Sequence, residues 1–183
     1  SDTVLDFGCG GGYLLENISC TNRLGIEINE AARNEAKSKG LTVYGSIDDI
    51  QNRSINTIIS NHALEHVENP LNILEKLHRK LKPSGKIVFV VPHQDTKEHY
   101  KEDDPNQHLY TWNQQTLGNL FSKAGYKVIR VEAIQHQWPP NYHELYKKHG
   151  LQKFHQICRE YAVKNNNYQV KINLRIIGNS LYF

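Results

Sequence analysis

The chain has 183 residues, of which 38% are hydrophobic and 22% charged, and this is the composition of a folded domain large enough to bury a core. Its formal net charge is only +3, and we interpret the densest basic run, KLHRKLKPSGK at 76–86, as a solvated helix end rather than a nucleic-acid patch. No apolar run reaches the roughly 20 residues that span a bilayer, and no secretory leader precedes the first strand pattern. The three cysteines form no CxxC pair. We therefore expect one domain, residues 1–183, in the reducing cytoplasm and without membrane attachment.

Strand patterns alternate with helix patterns through the first half of the chain. Asn29 is a plausible cap for the second helix, and Gly40 ends it. Asn69 and Pro70 begin an amphipathic helix, which we expect to close at Pro83 and Gly85. Such alternation predicts a parallel sheet with helices on both faces. In chain order we predict strands at 3–7, 23–28, 41–45, 55–61 and 86–92, and helices at 12–18, 29–40 and 69–85.

The second half of the chain departs from this alternation. A helix at 113–126 is followed by strands at 127–134 and 168–178, with no helix of the crossover type between them. About 35 residues separate these strands, and they contain an aromatic-rich proline turn and one or two helices. Structureless loops of that length are uncommon in compact domains. We therefore predict a helical, aromatic cap inserted at about 133–168, before the last strand.

Four glycines follow the first strand in the stretch DFGCGGG, residues 6–12. Glycines at such a position indicate that the backbone closely approaches a ligand or another part of the chain. The dinucleotide pattern GxGxxG fails, because its third glycine would fall at Tyr13. A phosphate loop of the GxxxxGK[ST] kind is also absent, since the first lysine or arginine is Arg23. The pattern that fits is D-x-G-x-G-x-G, which begins at Asp6.

With this motif the chain resembles the class I S-adenosylmethionine-dependent methyltransferases. Glu27 supplies the acid that this family carries at the end of the second strand. LEH at 64–66 and LKPSG at 81–85 resemble the segments after the fourth and before the fifth strand in the small-molecule branch of the family. The resemblance covers residues 2–92 well and 107–132 loosely. It implies a Rossmann-like, mostly parallel seven-stranded sheet with an antiparallel last strand.

The implied donor explains the glycines in physical terms. S-adenosylmethionine has no phosphates and so needs no cationic loop, but it does need main-chain contact along its methionine portion, which glycines allow. Glu27 can accept hydrogen bonds from ribose hydroxyls, as an acid about 20 residues beyond the glycines does in dinucleotide sites. A tight turn without any ligand is the alternative. The presence of Glu27 and of the LEH and LKPSG segments favours the ligand.

The resemblance also assigns the remaining contacts to the donor. The segment GSIDDI follows the third strand, where the family holds adenine, and Asp48 in it is a less certain contact than its neighbours. Asn61 and His62, just past the fourth strand, would flank the methionine portion and the sulfonium. The predicted donor-binding residues are Asp6, Gly8, Cys9, Gly10, Glu27, Ile28, Ser46, Ile47, Asn61 and His62.

Transfer of the methyl group to a hydroxyl is helped by a base near neutral pKa, for which histidine is suited. Among ten histidines we rank His62 and His93 first as base candidates, and then His108. We predict no metal, because HALEH at 62–66 is not HExxH and no third ligand is positioned nearby in the sequence. Five aromatic residues of the cap either line an acceptor pocket or form the cap's own core. They are Trp138, Tyr142, Tyr146, Phe154 and Tyr161.

We expect the acceptor to be a small molecule, with oxygen preferred over nitrogen or carbon. A nucleic-acid or protein acceptor is disfavoured, since the N/DPPY motif for base amines should stand where the chain reads SNHA, and PPNY at 139–142 is in the wrong place and order. A further alternative is a non-catalytic subunit that binds the donor. The set of Asp6, Gly8, Gly10 and Glu27 argues against loss of donor binding, though not against loss of chemistry. The oligomeric state is not predicted.

Overall fold

A computed structural model describes residues 2–93, 100–135, 137–164 and 172–180. In these ranges one sheet of seven strands has the order β3-β2-β1-β4-β5-β7-β6. Strand β7 runs antiparallel to both of its neighbours, and every other pairing is parallel. The predicted architecture is therefore confirmed. The elements are β1 (Thr3–Phe7), α1 (Tyr13–Glu16), β2 (Asn22–Ile26), α2 (Glu30–Ser38), β3 (Thr42–Tyr44), β4 (Ile55–Asn61), α3 (Pro70–Lys80), β5 (Leu81–His93), α4 (Gln114–Lys123), β6 (Tyr126–Gln135), α5 (Tyr142–Lys164) and β7 (Ile172–Ser180).

The core lies between the central strands and the helices that cover them. All five residues of β1 are buried, as expected for a parallel strand with helices on both sides. Helix α3 buries Leu74 and Leu77, which lie on the apolar stripe that the sequence predicts. Asn29 and Asn69 cap their helices, and each side-chain oxygen accepts a backbone N–H at 3.1 Å.

Several predicted boundaries are shifted by a few residues, and two of the shifts concern the helices α1 and α3. Helix α1 ends at Glu16 rather than 18, so it is little more than one turn. Helix α3 ends at Lys80, because Leu81 is already extended and pairs with Ile55 at the start of β5. The LKPSG segment therefore belongs to β5, with a register shift before Thr57, and does not close the helix.

The predicted insertion joins two strand ends at one edge of the sheet. Gln135 at the end of β6 pairs with Ile172 at the start of β7, and Ile172 pairs with His93 at the end of β5. The insertion therefore leaves and re-enters at the carboxyl edge of the parallel strands. Helix α5 is broken at Gly150, which has φ 71° and ψ 172°, so it consists of two helices. Residues 136 and 165–171, on which parts of the predicted cap and last strand fall, lie outside the described residues.

In the part of the chain that the structure describes, no helix is both long and apolar enough to cross a membrane.

Candidate functional site

The turn between β1 and α1, residues 8–12, is called the glycine turn below. Its first two amides, of Gly8 and Cys9, both donate to the carbonyl of Ile26, at 2.9 and 3.0 Å, and so fold the turn back onto the end of β2. Gly8 has a φ of +73°, and a Cβ on it would lie 2.4 Å from Cβ of Ala63. Only glycine fits at this position.

Gly10 differs from Gly8 in what surrounds it. Its φ is +52°, and a Cβ built on it would meet no protein atom within 4 Å. The main chain of Gly10 therefore borders open space rather than packed side chains. This is the arrangement that a ligand lying along the backbone requires.

Glu27 stands immediately beyond β2 and faces the glycine turn. One carboxylate oxygen, Oε2, accepts the amide of Gly10 at 2.8 Å, and the other, Oε1, accepts the amide of Asn29 at 2.8 Å. Each oxygen has further lone-pair capacity, so the carboxylate can still accept hydrogen bonds from the hydroxyls of a ligand. The side chain is fixed in place before any ligand arrives.

Asp6, near the end of β1, adds a second carboxyl group behind the turn. It is 2% exposed, and burial together with the charge of Glu27 raises its pKa to about 7. The carboxylate of Glu27 favours a cationic ligand, and a positive charge beside it would also ease ionisation of the buried Asp6. A sulfonium donor that also carries an amino group meets this requirement.

Two of the predicted donor contacts have side chains in the core, and a third has its hydroxyl engaged in a cap. Cys9 is 7% exposed and belongs to a core cluster with Val4 and Leu15, and Ile47 is 5% exposed in the main core. The hydroxyl of Ser46 accepts the amide of Asp48 and caps a short 3₁₀ turn. Cys9 and Ile47 can therefore meet a ligand only through their main chain, whereas the exposed Ser46 still has a hydroxyl proton to donate.

Two other predicted positions near the adenine segment have exposed side chains. Ile28 is 85% exposed next to Glu27 and offers an apolar surface for a flat ring. Asp48 pairs with Lys76 at 2.7 Å, and the hydrogen bond from Lys76 holds the pKa of that carboxyl below its usual range. Ile28 thus fits the predicted role better than the less certain Asp48, whose charge is already paired.

Two of the three predicted base candidates meet at Glu65. Nδ1 of His62 lies 3.4 Å and Nε2 of His108 lies 3.9 Å from Oε1 of Glu65. His108 comes from a distant segment, which the amide of Leu109 fixes by donating to the Glu65 carbonyl at 2.9 Å. His62 follows β4 directly and has a positive φ of 56°. The sequence gives no signal of this arrangement, because Glu65 and His108 are far apart in the chain.

His93, the third base candidate, is the last residue of β5. Its Nδ1 is 2.9 Å from the carbonyl oxygen of Trp112, which can only accept a hydrogen bond. We therefore assign the proton of the neutral ring to Nδ1, which leaves a lone pair on Nε2. A histidine in this tautomer can take a proton at Nε2.

The structure adds a potential third metal ligand that lies far away in the sequence. Glu65, His66 and His108 each offer one ligand atom, and the three atoms all lie within 4.8 Å of one another. The rings of His66 and His108 meet edge to face, with centroids 5.1 Å apart. The sequence motif misses this set, because the third ligand comes from outside it.

The aromatic residues of the cap contact one another. Ring centroids are 4.7 Å apart for Trp138 and Tyr142, and 5.7 Å apart for Tyr146 and Phe154. Phe154 is buried, whereas Trp138 is 57% and Tyr146 49% exposed. The cluster is thus partly a core of the cap and partly an open aromatic surface, so both predicted roles stay open.

The profile of a methyltransferase domain family matches residues 1–131, which is most of the chain. The chain belongs to this methyltransferase family. The matched region contains β1, the glycine turn, Glu27, the histidines around Glu65, and His93. The resemblance to the S-adenosylmethionine-dependent methyltransferases is confirmed.

Comparisons with individual proteins agree with the family. The methyltransferase domain is 35% identical over 102 residues to a ubiquinone biosynthesis O-methyltransferase of Actinobacillus pleuropneumoniae, an alignment that covers 47% of this chain and 44% of the relative. An S-adenosylmethionine-dependent methyltransferase from Mesorhizobium loti has a TM-score of 0.65 and 17% identity, over 97% of this chain and 90% of that one. Phosphoethanolamine N-methyltransferase 2 of Haemonchus contortus, solved with S-adenosyl-L-methionine, has a TM-score of 0.67 and 12% identity, over 100% of this chain and 49% of that one.

Proposed function

We propose that the chain binds S-adenosylmethionine between the glycine turn and Glu27 and transfers its methyl group to a hydroxyl oxygen of a small molecule. The observation that carries the proposal is the hydrogen bond from Gly10 to Glu27 beside open space. This hydrogen bond holds two groups in one crevice: the main chain that would contact the methionine portion, and the carboxylate that would bind the ribose. The matched relatives named as O-methyltransferases support an oxygen acceptor.

The residues around the crevice suit the parts of this donor. Glu27 would accept hydrogen bonds from the ribose hydroxyls, and Ile28 would cover one face of the adenine. Ser46 and Ile47 would contact the adenine edge through their main chain. Asn61 and His62, beyond β4, would lie on the methionine side. The negative charge of Glu27 favours the cationic donor over uncharged nucleosides.

The bound donor supplies an activated methyl group, whose bond to sulfur breaks as the new bond to oxygen forms, with the electron pair left on a neutral thioether. The chain has to align the acceptor and receive its proton. We assign the proton to Nε2 of His93, because the carbonyl of Trp112 fixes the tautomer. His62 and His108 are the remaining candidates, and both lie beside Glu65.

Calorimetry with S-adenosylhomocysteine tests donor binding, and a screen of phenols, sugars and short-chain acids tests transfer. We expect His93→Gln to lower turnover by roughly 10²–10⁴-fold with unchanged affinity for S-adenosylhomocysteine. His149→Gln, in the exposed part of α5, is the matched control and should keep full turnover. Full turnover in His93→Gln would move the base to His62 or His108.

Absence of binding would reject the donor site itself. Binding without transfer to any acceptor of the screen would favour the alternative of a non-catalytic subunit that holds the donor.

A further inference from the structure

We propose that Glu65, His66 and His108 bind a divalent transition-metal ion next to the donor crevice. Binding of the ion does not depend on the proposed function. The role of the ion in catalysis does rest on the proposed methyl transfer to oxygen.

The carboxylate of Glu65 provides the first observation. Its side chain is 0% exposed, and among the described residues neither oxygen has a hydrogen-bond partner. Nδ1 of His62 lies 3.4 Å and Nε2 of His108 lies 3.9 Å from Oε1. A buried carboxylate without donors costs free energy, and a bound cation offsets that cost.

The arrangement of the three ligand atoms provides the second observation. They lie within 4.8 Å of one another, and bonds of about 2.0–2.2 Å to one ion bring such atoms roughly 3–3.5 Å apart. The main chain already holds the two contributing segments together. Leu109 donates its amide to the carbonyl of Glu65 at 2.9 Å, and the hydroxyl of Tyr110 donates to the carbonyl of Glu68 at 2.8 Å. Side-chain rotations would therefore suffice to close the site.

The ligand types indicate which ion fits. Two imidazole nitrogens and one carboxylate oxygen suit Zn²⁺, Mn²⁺, Fe²⁺ or Co²⁺, whereas Mg²⁺ and Ca²⁺ prefer oxygen ligands alone. Three protein ligands leave coordination positions open, which is typical of catalytic rather than structural sites. His62, close to the same carboxylate, is placed to support it from outside the ligand set.

The location of the site suggests its use. Ala63, two residues before Glu65, lies against Gly8 of the glycine turn, so the segment that carries Glu65 and His66 runs beside the donor crevice. An ion there would place positive charge beside an acceptor oxygen and ease the loss of its proton to a base such as His93. The ion is not consumed, and methyl transfer still ends in a neutral thioether. Because the ion would act by easing the loss of a proton from oxygen, this role favours hydroxyl acceptors over amines.

Metal titration of the full chain, after dialysis against a chelator, tests the site. We expect one equivalent of Zn²⁺ by calorimetry, and Co²⁺ to give visible absorption bands of a site with nitrogen and oxygen ligands. His66→Ala and His108→Ala should each weaken Zn²⁺ binding by about tenfold or more. His149→Ala removes an exposed cap histidine and should leave the affinity unchanged.

Glu65→Gln removes the charged ligand and is the more direct test of the site. Because the side chain of Glu65 is buried, circular dichroism is used to check that this variant folds. His66 is exposed, and His66→Ala keeps the test valid if the Glu65 variant does not fold. Wild-type Zn²⁺ affinity in both histidine variants would overturn the proposal, as would binding of Mg²⁺ with no binding of Co²⁺. Binding of S-adenosylhomocysteine is measured in the same metal-free protein, so failure of the metal site and failure of the donor site give different results.

Discussion

The amide of Gly10 donates to Oε2 of Glu27 at 2.8 Å, and this contact joins the turn after β1 to the residue after β2. The two strands are parallel neighbours, so their carboxyl ends reach the same edge of the sheet. The groups that we assign to the methionine portion and to the ribose of the donor therefore hold each other in place without a ligand. Such preorganisation lowers the entropy lost on binding.

Gly10→Ala should abolish or strongly weaken donor binding, because the added methyl group would project into the space that we assign to the donor. Gly40→Ala is a matched control, since Gly40 has a similar φ of +78° and also has nothing within 4 Å of its built Cβ. Both changes should cost about 1 kcal/mol of unfolding free energy, because alanine is strained at positive φ. Only Gly10→Ala should raise the dissociation constant of S-adenosylhomocysteine in calorimetry, by roughly tenfold or more. Equal affinities in the two variants would contradict the position of the donor.

Glu27→Gln should weaken binding of S-adenosylhomocysteine by about 1–3 kcal/mol, because a charged acceptor of hydrogen bonds is lost. Glu30→Gln, in the exposed first turn of α2, is the control and should have no effect. A ribose-deoxy analogue adds a second measurement. It should bind the wild type more weakly than S-adenosylhomocysteine does, while Glu27→Gln should discriminate far less between the two. Discrimination retained in the variant would assign the ribose to another residue.

Asp6 should make the free energy of unfolding depend on pH. Its pKa in the folded chain is about 7, above the ordinary value of 3.8, so the folded state holds a proton that the unfolded state has released. This contribution to stability is complete below pH 3.8 and is lost as the pH rises through 7, and it amounts to about 4 kcal/mol at most. Urea unfolding of Asp6→Asn should therefore show a flatter pH profile between pH 5 and 8 than the wild type. The exposed control Asp103→Asn should keep the wild-type slope, and a wild-type slope in Asp6→Asn would exclude this account.

The cysteines should differ in their reactivity. Burial raises the pKa of the Cys9 thiol to about 12, with further contributions from the charges of Asp6 and Glu27, and burial also raises the pKa of Cys158. Cys20 is partly exposed. At pH 8 one thiol of the native protein should react quickly with Ellman's reagent, and all three should react in denaturant. Cys20→Ser should remove the fast phase, and a fast phase that persists would mean that Cys9 or Cys158 is accessible in the native protein.

The sequence was sufficient to predict the parallel sheet and the placement of Glu27 at a strand end beside the glycine turn, because these follow from local patterns. Alternating strands and helices determine the layers, and a glycine-rich turn after a strand marks the carboxyl edge. The directions of side chains were not predictable in the same way. Cys9 and Ile47 turn into the core, because packing decides which side of a turn is buried.

Contacts between distant segments account for the other misses. His108 reaches Glu65 through a segment that has no regular pattern, so no spacing in the sequence indicates it. The α3–β5 boundary was misplaced because LKPSG contains the proline and glycine typical of a helix end, whereas strand pairing with Ile55 begins already at Leu81. In this segment the hydrogen bonds between strands outweigh the local preference of proline and glycine for a helix end.

The reversed direction of β7 has a consequence for how such a domain can diversify. Because the insertion starts and finishes at the same edge, its residues can be lengthened, shortened or exchanged without re-threading the strands beneath. Grafting the corresponding segment of another enzyme between Gln135 and Ile172 should therefore alter which acceptors are methylated. The affinity for the nucleoside part of the donor should stay the same.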